Sequence, residues 1–571
     1  MNTRLAIQRR LVSAAAFAAL AAVTGPLCAE TAALKVTGIK AIHHDGQTFI
    51  TWTDAAPGKA GAGFRYEVYR STEPITAENL AKAERTHKGV LNNSAKCNFA
   101  AWKPDLRNDT SGRTCVIVPG GERLPDPSGL AVRTAVEGKA GKAWYAVVAV
   151  DLKGEPVTAV VPGESATTEA VEETVAPIKP IQVRGDGSLR ESKEPKPLIV
   201  SLHASAMSLV TARGRDRYLF WGTPDMGWRD GLRCHFAVGE SKGVLRLSLP
   251  DGIMRPDGKR YMQTSWLGYR PAVFDSEADP LIFVNYTERK LLWIIHWVLA
   301  NYTIDKNRIY CTGGSMGSTG THTFGPRHPE LFAAISASRG KVRRNAMARK
   351  DRRSPAVPAR MPDGTVVNEM VDMIANAGKH TGDLPVVLYC VGRRDWYATW
   401  PDQVAYARTL EKARHGFVFC WNNGDHSSGM AAGRKLPNLL RFAKNVSYPA
   451  LSNASTSTDP GTGAKDDGAK EGCINAGFTW KDVTDEAARY AVTIAHPAAK
   501  DGPVTVDVTP RYLQAFKPEA GRTYRFTSRP TDGKEAVQEG TATADANGLL
   551  TVPQFRITSP AGNVLTVTPA P

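Results

Sequence analysis

The feature that most narrows the fold is a series of seven short, nearly all-apolar runs between Pro197 and His426. They read PLIVSLHAS, GVLRLSLPD, PLIFVNY, RIYCTGGS, LFAAISAS, LPVVLYCVG and FVFCWNNGDH. Runs of this length without polar alternation are typical of strands covered on both faces, as in a parallel sheet. Helical patterns lie between some of them, in TERKLLWIIHWVLANY from Thr287 to Tyr302 and in QVAYARTLEKA from Gln403 to Ala413. Strand and helix in alternation predict an open, mostly parallel, doubly wound α/β sheet, with ligands at the carboxyl ends of its strands.

At 571 residues the chain is too long for that domain alone. From Thr31 to Glu169 it reads as strands, with TFITWTD around Trp52, FRYEVYRS from Phe64 to Ser71 and AWYAVVAVD from Ala143 to Asp151. Beyond SNASTSTDPGTGAKDDGAKEG, a Ser/Thr/Gly/Asp stretch without apolar period, the runs RYAVTIAHP, PVTVDVTP, TYRFTSRP and NVLTVTPAP alternate like sandwich strands. The expected organisation is a leader over 1–29, a β-sandwich over 30–170 and the α/β domain over 171–450. A linker over 451–472 and a second β-sandwich over 473–571 complete it. The three N-terminal runs resemble the second, third and sixth strands of a fibronectin type III domain, with Trp52 and Tyr145 at its core positions.

The formal charge of +16 would by itself invite a nucleic-acid partner. The N-terminus argues for export. Arg4, Arg9 and Arg10 precede the apolar run Leu11–Val23, which is followed by Gly25, Pro26 and the small Ala29. This is the pattern of a cleaved secretory signal, and it is shorter than the ~20 residues a membrane anchor needs. Its loss removes three arginines and leaves +13 on a secreted or periplasmic chain. Anionic polysaccharide or cell-wall polymer is then a more natural partner than nucleic acid. Cys97 and Cys115 bracket a polar stretch suited to a disulfide loop in an oxidising compartment, whereas Cys311, Cys390 and Cys420 sit in apolar runs as buried thiols. No spacing resembles a metal site.

The strongest chemical motif is Gly313-Gly314-Ser315-Met316-Gly317, directly after the apolar run RIYCT. In a G-x-S-x-G elbow a strand turns sharply into a helix, and the serine is held at the apex in a strained conformation. No lysine follows the last glycine, which excludes a phosphate-binding P-loop. A serine hydroxyl needs a base, and the base an acid partner, in the chain order Ser, Asp, His. Asp395 follows LPVVLYCVG and His426 follows FVFCW, so both arrive at the carboxyl edge where Ser315 is expected. Asp402 reads as a helix cap, Asp425 as a divergent neighbour of His426, His415 lies at the opposite edge, and His322 and His328 read as structural. The Met316 N–H is one candidate oxyanion donor, and that of Ala204 or Ser205, in Leu202-His203-Ala204-Ser205, is the second. Trp396, Tyr397 and Trp421 lie near the acid and the base and are candidate substrate contacts.

The segment YTIDKNRIYCTGGSMGSTGTHTFGPRHPELFAAISASRG resembles the elbow region of polyhydroxybutyrate depolymerase-like and feruloyl or acetylxylan esterases, and of the prolyl-oligopeptidase catalytic domain. The resemblance spans roughly Pro197 to Tyr448 and implies an α/β-hydrolase fold. The pattern departs at Ala204, where glycine is usual, at Ser318, and at a basic insertion, Arg339 to Arg360, which could attract an anionic glycan or simply be a solvated loop. The expected function is a secreted serine carboxylic-ester hydrolase that works through an acyl-enzyme without cofactor, on a polysaccharide ester or a polyester. A prolyl-oligopeptidase-like peptidase and a degenerate polymer-binding protein are the alternatives.

Overall fold

A computed structural model describes residues 34–571, except 57–62, 98–112, 176–181, 185–193, 204–236, 255–260, 271–280, 344–347, 350–356 and scattered positions between 45 and 137 and between 252 and 269. The expected leader therefore lies outside the described residues.

The central sheet has nine strands in the spatial order 182–184, 237–241, 244–250, 196–203, 304–314, 334–338, 386–392, 417–422 and 472–474. The strands from 244–250 through 417–422 run parallel. Their all-apolar character follows from this: Val200, Ile335, Val387 and Phe419 are shut off from water, and helices and side chains cover both faces. The register puts Gly314 beside Ser338, Ser338 beside Cys390 and Cys390 beside Cys420. These four strands thus end within two residues of one another, and the loops that follow them emerge along one edge.

Helix Tyr286–Asn301 fills one face through Leu291, Ile294, Ile295 and Val298, apolar positions at helical spacing. Its buried Glu288 pairs with Arg327 at 2.6 Å and His328 at 2.8 Å, which clamps this helix to the turn after Phe324. PLIFVNY, expected as a sheet strand, is not one. Its backbone pairs with Arg360 outside the sheet, and Phe283 and Val284 are buried at the entrance to the helix. A short apolar run does not say which partner covers it.

The N-terminal region is a sandwich of antiparallel sheets. Three strands, Thr37–His44, Gln47–Thr53 and Gly129–Thr134, face four, Glu84–Val90, Phe64–Ser71, Gly141–Asp151 and Val171–Glu173. Trp52, Tyr66 and Tyr145 are buried in its core. The C-terminal region is a second sandwich, of three and five strands.

The stretch expected as a linker is built into both neighbours. Tyr448–Ser452 pairs with Val504–Arg511 of the C-terminal sandwich, so that domain begins before residue 450. Gly472–Ile474 returns to the central sheet as its antiparallel edge strand. There Cys420 faces Cys473 and forms a disulfide with it, correcting the reading of Cys420 as a free thiol. Cys311 and Cys390 are free and buried. Cys115 and the side chain of Cys97, paired in expectation, lie outside the described residues.

Candidate active site

The elbow is built from its glycines outward. Strand Ile304–Gly314 runs into helix Met316–Phe324 through Ser315, whose φ of 55° and ψ of −118° are unfavourable for a residue with a side chain. The turn is held because the Ser315 N–H donates to the Ser338 carbonyl at 2.8 Å and its carbonyl accepts the Thr319 N–H at 3.0 Å. Gly313 permits the close approach of strand and helix, since a Cβ there would lie 2.3 Å from the Gly317 oxygen. The strain aims the hydroxyl along the sheet edge, away from the helix it caps.

The other two strand ends deliver the partners. Ser315 Oγ lies 2.7 Å from His426 Nε2, and His426 Nδ1 lies 2.9 and 2.8 Å from the two oxygens of Asp395. The Asp395 side chain is fully shielded from solvent, and its Oδ1 also accepts the backbone N–H groups of Tyr397 at 2.7 Å and Ala398 at 3.1 Å. A carboxylate fixed from three sides fixes the imidazole plane, with the Nδ1 proton on the acid side and the Nε2 lone pair on the hydroxyl. Ser315, Asp395 and His426 are therefore brought together in a hydrogen-bonded line.

The supporting residues were mostly invisible in the sequence. Asp425 shapes the His426 loop by accepting the N–H groups of Ser427 and Ser428 at 3.0 and 2.9 Å. Arg339, the first residue after strand Ala334–Ser338, donates from Nη1 to the His426 carbonyl at 2.8 Å and ties down the same loop from the other side. Arg393, two residues before Asp395, is buried and gives its guanidinium to the carbonyls of Ala464, Lys465, Asp467, Gly468 and Ala469. The acid's loop is in this way fastened to the segment entering the C-terminal sandwich. A cation at a strand's carboxyl end was the available signal for Arg339 and Arg393, but nothing in the sequence shows which carbonyls will converge on it.

The three aromatic candidates separate. Trp396 is 77% exposed, with its ring 5.6 Å from that of His426. Tyr397 braces the elbow: its hydroxyl meets Thr319 Oγ1 at 3.0 Å and Met316 Sδ at 3.4 Å, and its ring stands edge-on to His426. Trp421 is buried against Trp400 and Phe419 and donates to the Ala469 carbonyl, so it is a core residue and not a substrate contact. Its strand alternates, with Phe417, Phe419 and Trp421 on one face and Val418 and Cys420 on the other. Met316 opens the elbow helix. Ala204 and Ser205 lie outside the described residues, as does most of the basic insertion beyond Arg343.

Burial pulls the imidazole of His322, enclosed by Tyr389 and Tyr406 beneath the elbow, down to about 3, which keeps it neutral and inert. His415, at the far edge, is buried and bonded to the Ala377 carbonyl. Asp402 sits in the first turn of helix Trp400–Lys412, where its carboxylate accepts the Thr399 hydroxyl at 2.6 Å. Among the described residues no group of three or more His, Cys, Asp or Glu could hold a metal ion, and no helix is long and apolar enough to cross a membrane.

No protein-family model and no curated protein matches the chain. Among solved structures it is similar to an S-formylglutathione hydrolase from Agrobacterium tumefaciens, at 13% identity over 52% of this chain and 86% of that one, with a TM-score of 0.29. It is also similar to a fluorophosphonate-binding serine hydrolase of Staphylococcus aureus, at 12% identity over 44% and 88% of the two chains, TM-score 0.26. A ferulic acid esterase matches at 15% identity over the same shares, TM-score 0.26. The parallel sheet, the strained elbow and the chain order Ser, Asp, His are those of the α/β-hydrolase class of fold.

Proposed function

We propose that the chain is an exported serine hydrolase of carboxylic esters, acting on ester groups of a polysaccharide or a polyester. The observation that carries this reading is the line Ser315 Oγ, His426 Nε2, His426 Nδ1 and Asp395, closed by hydrogen bonds of 2.7 to 2.9 Å on a serine with positive φ. His426 takes the Ser315 proton as Oγ attacks the ester carbonyl, and Asp395 stabilises the imidazolium by holding the Nδ1 proton. The oxyanion is received by the Met316 N–H, with Ala204 or Ser205 as the second donor. His426 returns the proton to the leaving alcohol, and a water activated by the same imidazole releases the acid.

Trp396 supports a ring-bearing substrate, because an exposed indole beside the base offers a face on which a sugar or aryl ring can stack. The N-terminal region supports an esterase over an oligopeptidase: it is a three-plus-four-stranded sandwich, read here as a fibronectin type III-like spacer, and not a propeller that would gate the site to short peptides. Nitrophenyl esters of short acids, incubated with the chain and with Ser315→Ala, test the reading. Release of nitrophenol should fall on the order of 10⁴-fold or more in the variant. Equal release by both proteins would remove Ser315 from the mechanism.

A further inference from the structure

A cavity of about 420 Å³ opens between the central domain and the C-terminal sandwich, at the edge where Val386, Phe417 and Val418 begin their strands. The triad stands at the other end of those strands, which span 7 and 6 residues, so about 20 Å of sheet separates the two places. The volume lies within the ~300–1,000 Å³ range of small-ligand sites. Aromatic side chains of Phe442, Tyr448, Phe478 and Trp480 form much of its wall.

The charged side chains on that wall, Arg441 and Lys435, share one sign. The Arg441 guanidinium lies over Trp480, 3.4 Å from the ring centroid, and its only hydrogen bond among the described residues is a long one, 3.4 Å, to the Phe478 carbonyl. Lys435 stands on the rim, and Asn438 lines the same side with its carboxamide oxygen occupied by the Leu440 N–H. Among the described residues no aspartate or glutamate lines the cavity. Burial without a compensating carboxylate draws the Arg441 guanidinium down to about 10. A half-buried cation left without a counter-ion has lost hydration that no described residue of the chain restores. Stacking fixes its plane and leaves N–H edges free for two-point contact with a carboxylate.

We propose that this cavity is a second binding site, separate from the triad, for a ring that carries a carboxylate. Trp480 and its aromatic neighbours take the ring, and Arg441 with Lys435 takes the acid. Two sources offer this chemistry, a uronate unit of a glycan and a free aromatic acid such as ester hydrolysis releases. Binding at this site does not require catalysis, so it stands or falls independently of the esterase reading.

The test is calorimetric titration of the full chain carrying Ser315→Ala, which prevents turnover, with trigalacturonate, ferulate and neutral maltotriose as probes. One or both acidic probes should bind with unit stoichiometry, maltotriose should not, and Arg441→Gln should weaken the acidic probe about 10- to 100-fold. Trigalacturonate alone would assign the site to a polymer and ferulate alone to a small acid, each in support. Equal binding of maltotriose, no saturation by either acid, or affinity unchanged in Arg441→Gln would overturn it. A thermal melt of Arg441→Gln matching the parent, with full nitrophenyl esterase activity when Ser315 is intact, shows that the variant is folded.

Discussion

Asp395 at the edge of the central sheet and Glu173 inside the N-terminal sandwich are both carboxylates withdrawn from water, and they are compensated in opposite ways. Glu173 is saturated: Arg70 reaches it from Nε and Nη2 at 3.0 and 2.7 Å, Arg133 at 3.0 Å, and the hydroxyls of Thr48 and Tyr145 complete the set. Burial alone would raise its carboxyl, but Tyr145 and the two arginines outweigh that and hold it below the usual range. Among the described residues Asp395 meets no arginine or lysine, only two backbone N–H groups and one imidazole that itself faces a hydroxyl. A carboxylate satisfied by fixed charges locks a core in place. One satisfied by an imidazole that faces a hydroxyl leaves a proton with somewhere to go, which is the difference between a structural network and the catalytic one proposed for Ser315, His426 and Asp395.

Exchanging each acid for its amide breaks the comparison most sharply. Asp395→Asn keeps the shape but favours the wrong imidazole tautomer, and ester turnover should drop about 10⁴-fold with little change in melting temperature. Glu173→Gln should do the reverse: activity per folded molecule stays level, while two buried arginines lose their counter-charge and the sandwich loses about 3–5 kcal/mol, read from urea unfolding. An inactive but stable Glu173→Gln would contradict the division of roles.

Glu288 is an intermediate case, a buried acid joining two elements. Burial would raise it, but Arg327 and His328 prevail and hold it at about 2, against ~4.3 in the unfolded chain. Its contribution to stability is therefore complete above pH ~4.3 and lost as pH falls toward 2. The gap in urea midpoint between the native chain and Glu288→Gln should be widest near pH 6 and shrink by pH 2.5. A gap independent of pH would mean that the pair is not what stabilises the clamp.

The smallest effect concerns Trp396, which is 77% exposed and whose ring stands against those of Tyr397 and His426. Trp396→Ala should raise KM for aryl or glycosyl esters several-fold, in line with ~0.5–1.5 kcal/mol for a ring contact, and leave acetyl esters and stability unaltered. An equal change for both substrate types would remove the indole from ring recognition.

Much of this site can be read from residue order because an elbow has local chemistry: Ser315 is turned to positive φ, and Gly313 is needed where the helix that follows packs back against the strand. The acid and base are legible one step less directly, as polar residues placed just after buried strands. What stays hidden depends on pairings that only the folded chain creates. The disulfide between Cys420 and Cys473 needs a three-residue edge strand at the end of a Ser/Gly-rich stretch, too short to announce itself by periodicity. The carbonyls around Arg393 are contributed by backbone, which carries no sequence signal. Nearness to His426 along the chain does not bring Trp421 to the site, because the two-residue alternation of its strand turns it inward with Phe417 and Phe419.

The most direct test is intact-mass and peptide analysis of the chain after treatment with a fluorophosphonate, which reacts only with an activated hydroxyl. One adduct should form, on Ser315, at a rate that falls steeply in His426→Ala and in Asp395→Asn. A folded chain that takes up no label, or takes it up at another residue, would contradict the account.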